Sequence, residues 1–348
     1  MKYVIDINQK HAESIQDLIN KGDYNSISQF VNVAIENQIH LETSDAKPIS
    51  NNIESESIPE TKQNNTIESK WETYRINNIT SHPQTVPYPD PSGIVLTSAD
   101  NEPKQMWIWG QINKILPVKI GLRVLYKELE NDKYIEMDNF LNKALQFAVK
   151  INYAIQNYEI KLSKTRSEKI SAGLPDMEKK SQTRYKSQFL VYSRKDSLLD
   201  GAMSLLKFIN VDIESRKGKI LLGLTQSGVE FAEISNPSLD NSSFEQSLSQ
   251  EEIDYYLKHI KTNVPNEHNA IKWLLNKINE GFNEREAIKK EMKNEFQELW
   301  NASDAVINTQ RAGLTSRITE LRLLDKEKNG IYVIYHVSDS GKSFLENN

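Results

Sequence analysis

The chain has 348 residues, 38% of them apolar, with 43 basic against 48 acidic side chains and a net charge of -5. It has no cysteine, which excludes disulfides, thiolate metal sites and cysteine nucleophiles. No apolar run is long enough to cross a bilayer, and the first residues lack the apolar core of a signal peptide, so a cytoplasmic protein of two or three domains with no membrane partner is expected. From Lys2 to Asn8 the side chains alternate, with Tyr3, Ile5 and Ile7 on one face and Lys2, Val4 and Asp6 on the other, as a strand of period two requires. Ala12, Ile15, Leu18 and Ile19 then recur at helical spacing until Gly22, and a second helix starts near Ser26 or Ser28 with Phe30, Val31, Ala34 and Ile35 on its apolar stripe. One strand and two short helices cannot close a core, and the lone strand has two unpaired edges. Two copies pairing strand to strand would satisfy both.

The strand at 3–7 and the run Gly22-Asp23-Tyr24-Asn25-Ser26-Ile27-Ser28-Gln29-Phe30-Val31-Asn32-Val33-Ala34-Ile35 resemble the ribbon-helix-helix family. The resemblance covers residues 1–43 and implies a homodimer. It also implies that the paired strands, with Lys2 outward, face duplex DNA, and that the start of the second helix at Ser28 holds a phosphate. Residues 44–90, rich in Ser, Asn, Thr, Glu and Pro, read as a flexible polar linker. Trp71, Tyr74 and Ile76 interrupt its polar run and could form a short docking helix or strand, but a tether is the preferred reading. The apolar run Met106-Trp107-Ile108-Trp109 reads as packing surface, in the core or at a dimer contact. Residues 161–195 hold ten Lys or Arg against Glu168, Asp176 and Glu178, which is either a phosphate-facing patch or a solvated loop.

Two later stretches share one order. In the first, an apolar helix is expected at 198–209, a basic turn at 215–219, a strand at 220–224, and a helix after Thr225-Gln226-Ser227-Gly228. In the second, a helix at 309–324 is followed by Asn329-Gly330, the strand-like run 331–337, and a helix after Ser338-Asp339-Ser340-Gly341. Earlier helices are expected at 121–129 and 134–158 for the first, and at 270–279 and 283–299 for the second. The second stretch resembles the winged helix-turn-helix domains of multidrug-resistance regulators, in which a recognition helix precedes a basic hairpin. Carried over to this sequence, the resemblance implies DNA contacts by Gln310, Arg311, Thr315, Arg317 and Arg322, and by Lys326, Lys328 and Tyr332 of the wing. In the first stretch it implies contacts by Arg194 and Lys195 ahead of the helix and Arg216, Lys217 and Lys219 on the wing.

Catalytic patterns are weak. Gly341-Lys342-Ser343 lacks the glycine a phosphate-binding loop needs at position 336, which is histidine. Asp90, Glu102 and Lys104 mimic a metal-dependent nuclease signature, but Pro103 interrupts its second element. The six histidines show no metal-ligand spacing, and no cofactor motif is present. The expectation is therefore a mainly α chain with small β elements: a ribbon-helix-helix module (1–43), a linker (44–90) and tandem winged-helix domains (91–240 and 241–348). Its expected function is DNA binding without catalysis, most simply in transcription regulation. The alternative is a non-catalytic adaptor or architectural subunit of a nucleoprotein complex.

Overall fold

The computed structural model describes residue 16 and residues 72–89, 95–97, 103–105, 107–164, 168–193, 199–212, 219–329 and 332–347. The chain divides into two units, Met1–Pro59 and Glu60–Asn348, and every described residue except Gln16 belongs to the second. Apart from Gln16, the expected strand-and-helix module at 1–43 therefore lies outside the described residues.

The second unit is mainly α-helical with small antiparallel sheets. Two 3-10 turns, Glu72–Tyr74 and Ile76–Asn78, precede a hairpin of β1 (Val95–Thr97) and β2 (Pro103–Gln105). Next come α1 (Leu116–Glu128), β3 (Ile135–Glu136), α2 (Met137–Lys161), and α3 (Lys179–Arg184), which runs on into a π turn (Tyr185–Leu190). The chain continues through β4 (Tyr192–Ser193), β5 (Leu199–Asp200), α4 (Ala202–Leu205), β6 (Ile209–Val211), β7 (Leu221–Leu224), α5 (Gln226–Glu233) and α6 (Pro237–Asp240). It ends with α7 (Gln250–Asn263), α8 (Pro265–Asn279), α9 (Arg285–Phe296), α10 (Asp304–Glu320), the hairpin of β8 (Leu324–Asn329) and β9 (Tyr332–Val337), and α11 (Asp339–Glu346).

One topology occurs twice. Between α1 and α5 the strands β3, β6 and β7 form one sheet whose last strand lies between the other two, in the order β3-β7-β6. In α8-α9-α10-β8-β9, Glu284 ahead of α9 bridges Ile334, so β9 again lies between the first and second strands. The repeat reaches individual hydrogen bonds. Lys207 and Arg322, just after α4 and α10, both have positive φ, 57° and 58°. Thr225 Oγ1 donates to the Lys207 carbonyl at 2.8 Å, and Ser338 Oγ to the Arg322 carbonyl at 2.7 Å. The same two hydroxyls cap α5 and α11 by accepting from Gly228 N and Gly341 N. A Cβ on Gly228 would lie 2.1 Å from the Phe208 carbonyl oxygen, and one on Gly341 would lie 2.4 Å from that of Leu323. Glycine is therefore required by close approach at both places.

A single apolar core runs from Trp107 to Phe344. Its centre is α1, whose residues from Leu116 to Tyr126 are all buried, as expected for a helix apolar on every side. Two buried cations on α1, Lys119 and Arg123, complete the C-terminus of α5, where carbonyls have no partner within the helix. Lys119 Nζ donates to the carbonyls of Phe231 and Ile234, and Arg123 to those of Ala232 and Ile234. Glu252 and Asp240 balance the two charges, with Lys119–Glu252 at 3.1 Å and Arg123–Asp240 at 2.7 Å.

Two expectations change. The helix expected at 198–209 is confined to α4, because Gly201 (φ 96°) turns the chain and residues on either side pair as β5 and β6. The linker expected to reach residue 90 is docked from residue 72 onward. Tyr74 packs on Phe147 with ring centroids 4.3 Å apart, Ile76 N donates to Asp240 at 2.8 Å, and Val86 pairs with β7 through Leu224 O. Trp107 does pack, against Trp273, Phe296 and Trp300.

Candidate nucleic-acid interface

A cleft of about 630 Å³ opens where the two topological repeats face each other. Its lining holds six cations: Lys114, Lys169, Arg184, Arg285, Arg311 and Lys326. No carboxylate is among the described lining residues, and Asn113, Ser171, Thr315, Ser316 and Tyr335 complete its polar surface. Lys169 and Arg184 come from the loop after α2 and from α3, Arg285 and Arg311 from α9 and α10, and Lys326 and Tyr335 from the β8-β9 hairpin. Lys114 lies on the segment leading into α1.

Buried acids hold these segments in place. Glu159, near the end of α2, accepts from Ile170 N at 2.6 Å and from Ser171 N at 3.0 Å, and takes the Ser171 hydroxyl at 2.6 Å. That fixes the loop carrying Lys169. Glu320, at the end of α10, accepts from Ile115 N at the start of α1, which fixes the neighbouring Lys114. Burial pushes the Glu320 carboxyl above its ordinary value, and the charge of Lys114 pulls it back. Arg317 grips Glu267 with Nε and Nη2, each at 2.8 Å, and donates Nη1 to the Ile112 carbonyl. This draws residues 107–112 onto α10, where Gly110 and Gly313 meet so closely that a Cβ on Gly313 would lie 2.0 Å from the Gly110 carbonyl oxygen.

Arg311 sits within the cleft wall, 9% exposed. Its Nη2 donates to Asn308 at 2.9 Å, while its Nε has no partner. Burial lowers the Arg311 guanidinium from its ordinary value, and the nearby Arg285 acts in the same direction. Electrostatically, a second cation adjoins a buried one with no carboxylate on the wall.

The residues expected to contact DNA divide into groups. Arg311, Thr315 and Lys326 line the cleft, and Tyr332 is 63% exposed on the hairpin. Gln310 and Arg317 are interior, at 2% and 1% exposure, so neither presents a side chain to a groove. Arg322 is held by Gln246 at 2.7 Å and the Leu248 carbonyl at 2.6 Å, and Lys219 pairs with Glu136 at 2.8 Å. Lys328 is on β8 opposite Val333. Lys2, Ser28, Arg194, Lys195, Arg216 and Lys217 lie outside the described residues, as do Asp90 and Glu102. Lys114, Lys169, Arg184 and Arg285 were not among the expected contacts, although Lys169 and Arg184 fall in the basic run 161–195. That run contains α3, with Lys179, Lys180 and Arg184 exposed.

Among the described residues no group of three or more His, Cys, Asp or Glu could hold a metal ion, and no helix is long and apolar enough to cross a membrane. The chain matches no family model, no curated protein and no solved structure.

Proposed function

We propose that the chain is a DNA-binding protein, most simply a transcriptional regulator, that grips duplex DNA along the cleft between its two repeats. The carrying observation is the cleft lining, six cations from six separate segments with no carboxylate among the described lining residues. Nucleic-acid affinity is dominated by neutralised phosphates, so a local concentration of cations matters more than a net charge of -5. The duplicated order of helix, strand, helix, helix and hairpin supports the winged-helix reading. In that reading α10 is the third helix of the second repeat and supplies Arg311 and Thr315 to the cleft wall, while α3 supplies Arg184 from the first. With Gln310 and Arg317 interior, the backbone carries more of the contact than base edges do.

The interior placement of those two side chains also favours the second reading, an adaptor subunit of a nucleoprotein complex. A salt titration of the full chain on duplex DNA separates the two. The DNA reading expects affinity to fall steeply, by a logarithmic slope of about 0.9 for each phosphate contacted. No duplex binding at low salt would overturn it in favour of the adaptor.

A further inference from the structure

The cleft offers more than a general positive field, and its chemistry indicates which part of a nucleic acid it takes. Lys169, Arg184 and Arg285 form no ion pair in the described structure, so three charges on the lining have no internal counter-ion. Arg311 is nine-tenths buried beside them with its Nε unpartnered. A guanidinium so placed matches the oxygens of a phosphate, which accept from the fork of an arginine in pairs. The lining gives little to a base. Among the described lining residues the one aromatic ring, Tyr335, is 4% exposed, so none of them offers a stacking platform.

We infer that this cleft is a phosphate seat, with Arg311 in its wall and Lys169, Arg184 and Arg285 around it, that holds the sugar-phosphate backbone of DNA without reading bases. The inference rests on the DNA-binding reading and specifies which chemical group the site recognises. Phosphate chemistry is shared by a DNA strand and by a small phosphorylated molecule, so the test carries an arm for each.

The full chain is titrated with two short duplexes of unrelated sequence and, separately, with inorganic pyrophosphate, against sodium chloride of equal ionic strength. The variants are Arg311→Gln and the double variant Lys169→Gln with Arg184→Gln. Arg184 is exposed and Lys169 half-buried, and neither has an ion partner to lose, so the double variant remains informative if Arg311→Gln fails to fold. The expected result is that pyrophosphate displaces both duplexes beyond the salt control. The double variant weakens pyrophosphate and both duplexes alike, about tenfold at low salt, and lowers the salt slope by about 2. Pyrophosphate bound at these residues with no duplex binding would uphold the phosphate seat, assign it to a small phosphorylated ligand and overturn the DNA reading. Duplex binding that ignores pyrophosphate and both variants would overturn the phosphate seat and leave the DNA reading standing. Loss confined to one duplex sequence would overturn backbone recognition.

Discussion

Two arginines on α10 have opposite consequences because their surroundings differ. Arg317 is enclosed and gives both faces of its fork to Glu267, while Arg311 has an unpartnered nitrogen on a cation-lined wall. Removing one member of a buried ion pair strands the other charge, at a cost of about 3–5 kcal/mol. Arg317→Ala should therefore lower the unfolding free energy by that amount in urea titration, whereas Arg311→Gln should act mainly on DNA affinity. Equal stability losses for the two would contradict this division. A third buried group makes stability depend on pH. The Nε2 of His259 contacts the Leu206 carbonyl at 2.8 Å and its Nδ1 contacts Asn263 at 3.2 Å, with its ring stacked on Phe208. These partners suit a neutral ring that donates from Nε2 and accepts at Nδ1. Burial lowers the His259 imidazole from its ordinary value of 6.5, against a smaller upward pull from Leu206. Below pH 6.5 the unfolded chain takes a proton that the folded chain resists. The stabilisation is therefore complete above pH 6.5 and is lost as the pH falls through the lowered value. Urea midpoints should fall between pH 7 and pH 5, and the fall should shrink in His259→Asn.

At the scale of elements, the two matched caps test whether the repeat is energetic as well as geometric. Thr225→Ala and Ser338→Ala each remove a hydroxyl that both donates to a preceding turn and accepts at a helix start. Each should cost about 1 kcal/mol. Gly228→Ala and Gly341→Ala push a methyl against a carbonyl oxygen and should each cost about 1–3 kcal/mol, read as shifts of the urea midpoint. Losses in one half only would mean that the matched geometry is not matched in energy. These caps were readable in the sequence because a hydroxyl three residues before glycine is a local signal. Of the second repeat's helices, α8 was readable for the same kind of reason, since Ala270, Ile271, Leu274, Leu275 and Ile278 recur at helical spacing and are buried. Residues 198–209 misled because an apolar run around Gly201 satisfies helical spacing while the glycine turns the chain. The helix α3 gave no apolar stripe to detect. Lys179, Lys180 and Arg184 face outward, and its buried contacts, Tyr185, Phe189 and Leu190, come only in the π turn that follows. Arg311 and Lys326 were singled out in the sequence by the resemblance, and both line the cleft. The grouping of Lys114, Lys169, Arg184 and Arg285 was not, because each arrives on a different segment and only the packing of Glu159 and Glu320 brings two of those segments to the cleft wall.

At the scale of the whole molecule, the cleft and the N-terminal module make separable demands. The cleft belongs to a single chain, and its lining is complete within residues 113–335. The strand and helices expected from the sequence at 1–43, by contrast, would leave apolar faces and strand edges for a second copy to satisfy. If both readings hold, a dimer carries two clefts, and its affinity for a duplex with two sites exceeds that of a single chain by about 10²–10⁴ through effective concentration. The full chain should then sediment at twice 40.0 kDa. A chain lacking residues 1–43 should sediment as a monomer and lose the two-site advantage, while keeping its affinity for a duplex long enough for one cleft only. A truncated chain that still dimerises would move the interface into the cleft-bearing unit. A full-length monomer would remove the dimer from the proposal and leave the cleft to account for binding alone.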